Sequence, residues 1–153
     1  AAGMGAHLAF ACDLVIAAEG TKFIEVFSRR GLVVDALGAY LLPRTIGLHK
    51  AKELVLFADD LPVAEAERLG LVNKVVPRDE LAATAGEWAG RLASGPTKAL
   101  GLSKWLLNQS FDVDRATMMS NEAIAVELNT HSEDFAEGMA SFRERRDPFW
   151  RGY

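Results

Sequence analysis

Cysteine is almost absent from the chain, since Cys12 is the only one among 153 residues. A single thiol cannot form a disulfide within the chain, and no Cys/His cluster at ligand spacing suggests a structural zinc site. Positive charge is also in deficit, because 17 Lys and Arg face 21 Asp and Glu, for a formal net charge of −4. No basic field therefore draws the chain to nucleic acid. These absences favour a reducing, cytoplasmic setting and exclude nucleic acid as the expected partner.

Long apolar runs are missing too. No uninterrupted apolar stretch reaches the roughly 18 residues that a membrane span needs, and no basic segment followed by an apolar one stands at the start. Hydrophobic residues make up 50% and charged residues 25% of the chain, which is typical of a soluble globular protein. We expect a soluble protein with one core and no membrane partner.

Strand-like patterns are confined to the first half of the chain. A short helix over 4–12 is followed by β-prone runs at 14–18 and 21–24, and "LVNKVVP" predicts one more strand. Apolar spacing predicts helices from His49, after Pro62, and over 81–92, 98–107, 114–129 and 132–145. Because two or three short strands do not form a stable sheet by themselves, we expect them to pair with strands outside this chain.

Asp35 is the most informative carboxylate. It lies in "GLVVDALG", where an aspartate can cap a helix over 36–42. Its apolar neighbours Leu32, Val33, Val34 and Leu37 also predict a buried carboxyl, whose pKa burial would raise. The residues themselves support a cap or a base equally, and the two roles are compatible.

Four blocks of the chain stand out together: "GMGAHLAFACDLVIAAEGTKF", "FSRRGLVVDALGAYLLPRTIG", "AKELVLFADDLPVAEAERLGLVNKVVP" and "EDFAEGMASFRERRDPFW". In this order and spacing they resemble the enoyl-CoA hydratase/isomerase, or crotonase, family. The resemblance implies an α/β, crotonase-like superhelix of stacked ββα turns, of which this chain is the C-terminal part. Residues 1–76 would complete the core, and residues 77–153 would form a helical segment that builds a homotrimer or a hexamer. The missing N-terminal half of the fold would precede Ala1.

The resemblance also implies an acyl-CoA thioester as substrate, with coenzyme A as part of that substrate and no separate cofactor or metal. Two backbone N–H groups would stabilise the enolate oxygen, as preorganised donors do at oxyanion holes. The matching donor is the Met4 N–H, flanked by Gly3 and Gly5, which allow the substrate to approach closely. The second donor would belong to the upstream half.

The family's hydratases add water with two glutamates, and the matching positions here hold His7 and Phe27. Phenylalanine cannot carry a proton, so hydration by that route is disfavoured. We expect both residues to line the substrate site, and His7 either to serve as an acid or base or to be structural. Glu25, two residues before Phe27, is expected on a solvated edge.

Asp35 matches the catalytic aspartate of dienoyl-CoA and ring-opened phenylacetate-type isomerases of the family. Such an aspartate takes a proton from one carbon of the acyl chain and returns it to another. The resemblance therefore implies an isomerase that shifts a double bond. An enoyl-CoA hydratase-like activity, a CoA-thioester hydrolase and a non-catalytic acyl-CoA-binding or assembly subunit remain alternatives, and the basic run in "FRERRDPFW" could meet CoA phosphates or a neighbouring subunit.

Overall fold

The computed structural model describes residues 1–153, which form two compact units, Ala1–Gly86 and Glu87–Tyr153. The first unit contains α1 (Met4–Phe10), β1 (Ile16–Ala18), β2 (Lys22–Ile24), α2 (Gly38–Ile46), α3 (Leu48–Phe57), β3 (Asp60–Pro62), α4 (Val63–Arg68) and β4 (Lys74–Val76). Helix α5 (Leu81–Ala93) begins in the first unit and ends in the second. The second unit continues with α6 (Thr97–Gln109), α7 (Arg115–Thr130) and α8 (Glu133–Glu144). Almost every helix expected from apolar spacing is present, with its ends within a few residues of the expected ones.

The strands form two separate pairs. Strand β1 runs parallel to β4, with Ala17 opposite Val75, and β2 runs antiparallel to β3, with Phe23 opposite Leu61. Strand β3 was not expected from the sequence, because Pro62 suggested the first turn of a helix. Pro62 instead ends β3 and directly precedes α4, a position where its missing N–H removes nothing from the ladder.

The core of the first unit lies between the strand pairs and helices α1 to α4. The expected apolar face of α3 is confirmed, since Ala51 and Leu54 are buried. They belong to one cluster with Phe23 of β2, Leu42 of α2 and Val72, which precedes β4. This cluster fixes the helices on the strands, and thereby fixes the residues that lie at the ends of α1, β2 and α2.

Helix α2 begins at Gly38, two residues later than expected. Ala36 and Leu37 have φ values of 45° and 64°, which lie in the left-handed region and are incompatible with a helix. No side chain caps α2. The expected cap by Asp35 is therefore wrong, because the two residues after Asp35 turn the chain before the helix starts. Pro43 lies inside α2.

Two helices of the second unit are capped at their N-termini by side chains. The side chain of Asp114 accepts a hydrogen bond from the Thr117 N–H at the start of α7, and Ser132 accepts one from Phe135 at the start of α8. Beyond α8 the chain folds back, and the buried Asp134 carboxylate accepts hydrogen bonds from the backbone of the last residues. No helix of the structure combines the length and apolarity that a membrane crossing requires.

Candidate functional site

Helix α1 offers one unpaired backbone donor at its start. Gly3, with φ 51° and ψ −128°, precedes the helix in a conformation that favours glycine. The N–H groups of Gly5, Ala6 and His7 bond to the carbonyls of Ala2 and Gly3, whereas the Met4 N–H has no acceptor within the chain. Met4 is 69% exposed. The predicted oxyanion donor is therefore unpaired and belongs to an exposed residue.

His7, one turn further along the same helix, is buried and paired with Glu25. Its Nε2 lies 2.8 Å from Glu25 Oε2, and the exposed fractions of the two residues are 1% and 4%. Burial raises the pKa of the Glu25 carboxyl above its ordinary value, and the hydrogen bond to His7 partly offsets that shift. The Nδ1 atom of His7 is buried without a hydrogen-bond partner.

The expectation that Glu25 lies on a solvated edge is wrong. Phe23, Glu25 and Phe27 are all buried and occupy every second position from β2 into the turn that follows it. Residues two apart point to the same side of an extended chain, so Glu25, directly after β2, shares the inward face of Phe23. That alternation is the sequence signal that could have identified the His7 partner.

Phe27 and Gly38 complete the packing around His7. The Phe27 ring is stacked on the imidazole, with centroids 5.5 Å apart and planes 15° from parallel. On Gly38, a Cβ would come within 2.0 Å of His7 Cε1, so only glycine fits there. The structure thus brings together His7 and Phe27, the two residues at the hydratase glutamate positions, but packs both into the interior.

Asp35 lies on an exposed loop directly before α2. Its carbonyl accepts a hydrogen bond from the Gly38 N–H at 2.9 Å, but its side chain and those of Leu32, Val33 and Leu37 are exposed. The expected burial of Asp35 is therefore wrong for this chain, because its apolar neighbours point outward rather than around it. They form an exposed apolar surface beside a carboxylate.

The loop and α1 meet through the His7–Gly38 contact. Met4 is three residues from His7, which is one helical turn and about 5–6 Å. Asp35 is three residues from Gly38, a reach of at most about 10 Å. The Met4 amide and the Asp35 carboxylate therefore belong to one region of the first unit.

An apolar groove adjoins this region. It has a volume of about 190 Å³ between α2 and α3. Its wall includes Val34 and Gly38, on either side of Asp35, and it continues along Leu42, Val55 and Leu56. A larger cleft of about 380 Å³ lies in the second unit and is lined by none of the predicted site residues. The smaller groove is therefore the one that matters for the candidate site.

The basic residues near the C-terminus are largely engaged within the second unit. Arg146 forms ion pairs with Glu137 and Glu144, and Arg151 forms one with Glu133. Because both arginines already pair with glutamates, they are weaker candidates for binding CoA phosphates. No group of three or more His, Cys, Asp or Glu side chains could hold a metal ion.

The whole chain, residues 1–153, matches the family model for enoyl-CoA hydratase/isomerase. It is 38% identical to the 1,2-epoxyphenylacetyl-CoA isomerase of Escherichia coli, an alignment that covers 99% of this chain and 58% of that protein. It is 40% identical to the crotonyl-CoA hydratase of Syntrophomonas wolfei, over 95% of this chain and 56% of that protein. The chain thus spans less than two thirds of the relatives it matches.

Solved structures show the same fold. An enoyl-CoA hydratase subunit from Geobacillus kaustophilus superposes with a TM-score of 0.97 at 35% identity, covering 100% of this chain and 60% of that one. A structure from Streptomyces coelicolor, described as an enoyl-CoA hydratase, gives 0.95 at 39% identity, covering 100% of this chain and 56% of that one. With the match over its full length, the chain belongs to the enoyl-CoA hydratase/isomerase family and has the crotonase fold.

Proposed function

We propose that the protein shifts a double bond within an acyl-CoA thioester, with Asp35 as the carboxylate that transfers the proton. The observation that carries the proposal is the contrast between three positions. His7 and Phe27, where the hydratases would have glutamates, are 1% and 6% exposed and stacked on each other. Asp35 is the exposed carboxylate in the same region.

The reaction needs a base and a stabiliser of the developing charge. Asp35 would remove a proton from one carbon of the acyl chain, the negative charge would pass to the thioester oxygen, and the proton would return to a different carbon. The unpaired Met4 N–H supports the second requirement, because a fixed donor aimed at that oxygen stabilises the enolate more than the ground state. Substrate and product have the same composition, so no water is consumed.

The surroundings of Asp35 support an acyl substrate. The exposed apolar side chains of Leu32, Val33 and Leu37 and the adjoining groove offer a surface that an acyl chain would cover. Covering it would also desolvate Asp35, which strengthens a carboxylate as a base.

Further parts of the proposal concern the whole protein. Because the chain spans less than two thirds of its relatives, we propose that the second oxyanion donor lies in the remaining half. We also propose a homotrimer or hexamer. Large apolar side chains on α6 to α8 support an assembly, since Leu107, Met119, Val126 and Phe142 are each more than half exposed.

A hydratase is the second candidate, which the 40% identity to a crotonyl-CoA hydratase favours.

The test of the proposed isomerase is Asp35→Asn in the protein that contains this chain. The matched control is Asp79→Asn, which changes another exposed aspartate of the first unit. We expect Asp35→Asn to lower the isomerisation rate by roughly 10²-fold or more while acyl-CoA binding persists, because asparagine cannot accept the proton. Unchanged turnover would refute the role of Asp35.

The remaining alternatives give other signatures. A thioester hydrolase would release free thiol, and a non-catalytic acyl-CoA-binding or assembly subunit would bind acyl-CoA in calorimetry without changing any enoyl substrate.

A further inference from the structure

We propose that His7, held in place by Glu25, is a positioning residue for Asp35. This inference rests on the proposed function and deepens it. His7 is only 1% exposed, so it does not contact the substrate itself. It would act through the segment that carries Asp35.

The Asp35 loop has a single buried anchor. Between Ser28 and Leu41, Gly38 alone is buried, and the other residues are exposed or half-buried. The backbone of Gly38 packs directly on the imidazole, where a Cβ would lie 2.3 Å from His7 Nε2. Because the Gly38 N–H bonds to the Asp35 carbonyl at 2.9 Å, the place of the imidazole sets the place of Asp35.

The imidazole is in turn fixed from two other segments. Glu25 holds Nε2 at 2.8 Å, and the Phe27 ring stacks on the plane. Phe27 also lies against Gly3, where a Cβ would be 3.4 Å from Phe27 Cζ. One buried side chain therefore connects α1, the segment after β2 and the start of α2.

The unpaired Nδ1 atom of His7 indicates which group donates the hydrogen bond between His7 and Glu25. If Nδ1 carried the proton, a buried N–H would be left without an acceptor, which proteins rarely tolerate. We therefore assign Nε2 as the donor and the Glu25 carboxylate as the acceptor. A glutamine at position 25 would still accept this bond, and a glutamine at position 7 would still donate one.

The test replaces the pair by apolar groups. The double variant His7→Leu/Glu25→Leu leaves no buried unpaired charge, and such replacements often keep or raise stability. We expect it to fold but to lose roughly 10- to 100-fold in kcat with KM within about threefold, because small displacements of a reacting group cost that much. Glu25→Gln should retain most of the wild-type kcat.

Two controls separate positioning from general effects. His131→Leu removes the other His–Glu pair, His131–Glu127, which is exposed and 3.2 Å long, and should leave kcat unchanged. Asp134→Ala removes the acceptor of two backbone amides in the second unit and should lower stability without changing kcat. A double variant that folds and keeps the wild-type kcat overturns the inference.

A second measurement does not depend on activity. Hydrogen exchange of residues 32–38 should be faster in the double variant than in the wild type, while exchange in α3 stays the same. If the wild type shows no isomerisation, the proposed function has failed and the exchange experiment alone decides the positioning role. Unchanged exchange over 32–38 in the folded double variant overturns that role.

Discussion

Gly38→Ala is the substitution whose effect follows most directly from the geometry. The new Cβ would lie 2.0 Å from His7 Cε1, about 1.5 Å short of the roughly 3.5 Å at which carbon atoms pack. Gly38 does not have a positive φ, so the backbone itself would accept alanine. The whole effect therefore comes from the contact with the imidazole.

The size of the effect follows from what holds the ring. His7 is 1% exposed, bonded to Glu25 and stacked on Phe27, so it cannot swing into solvent. Either α2 moves away from α1, at the cost typical of an overfilled core, or the ring moves and loses a hydrogen bond to a charged group. We expect Gly38→Ala to lower the free energy of unfolding by about 2–3 kcal/mol.

Urea unfolding of the protein that contains this chain measures this effect. With a slope of about 2 kcal/mol per molar urea, the midpoint should fall by about 1–1.5 M at unchanged slope. The matched control is Gly90→Ala in α5, where a Cβ meets nothing within 4 Å. That control should raise stability by about 0.5–1 kcal/mol, because alanine favours a helix.

The background variant His7→Ala makes the comparison specific. With the ring removed, Gly38→Ala should cost less than about 1 kcal/mol, since contacting sites are not additive. If Gly38→Ala changes stability by less than about 0.5 kcal/mol in the wild type, or costs the same in both backgrounds, the packing of Gly38 on His7 is refuted.

Two further predictions concern buried carboxylates. Because burial raises the pKa of Glu25, the native state binds more protons than the unfolded state above pH 4.5. The stability of the wild type should therefore fall relative to that of Glu25→Gln as the pH rises from there. Urea midpoints of both proteins across pH 4 to 8 test this, and a constant difference between them would contradict it. Asp134→Ala removes the acceptor of the Arg151 and Gly152 amides, which lie 2.7 and 2.8 Å from the carboxylate. It should speed the hydrogen exchange of these amides and lower the free energy of unfolding by about 2 kcal/mol. Exchange as slow as in the wild type would show that the carboxylate does not hold this segment.

The helices could be predicted because their signals are local. Apolar spacing, the caps Asp114 and Ser132, and the apolar face of α3 are all readable within a few residues of the chain. Strand β3 was missed because three residues ending in Pro62 carry almost no periodicity of their own. They are extended because Phe23 and Leu61 pair across the two strands, which is a long-range contact.

The family resemblance proposes the members of the candidate site but not their geometry. It points to Met4, His7, Phe27 and Asp35. It could not show that His7 is buried against Glu25, because that pair joins residues 18 positions apart across two elements. Nor could apolar neighbours of Asp35 reveal which way they face, since the left-handed turn at Ala36 and Leu37 directs the loop outward.

We propose that the protein moves a double bond and adds no water. The most direct test incubates the protein that contains this chain with an enoyl-CoA and follows the product by mass spectrometry, with Asp35→Asn in parallel. We predict a product of unchanged mass with its double bond moved, formed by the wild type and not by the variant. A product that gains the mass of one water, formed equally well by Asp35→Asn, would contradict both the proposed isomerisation and the role of Asp35.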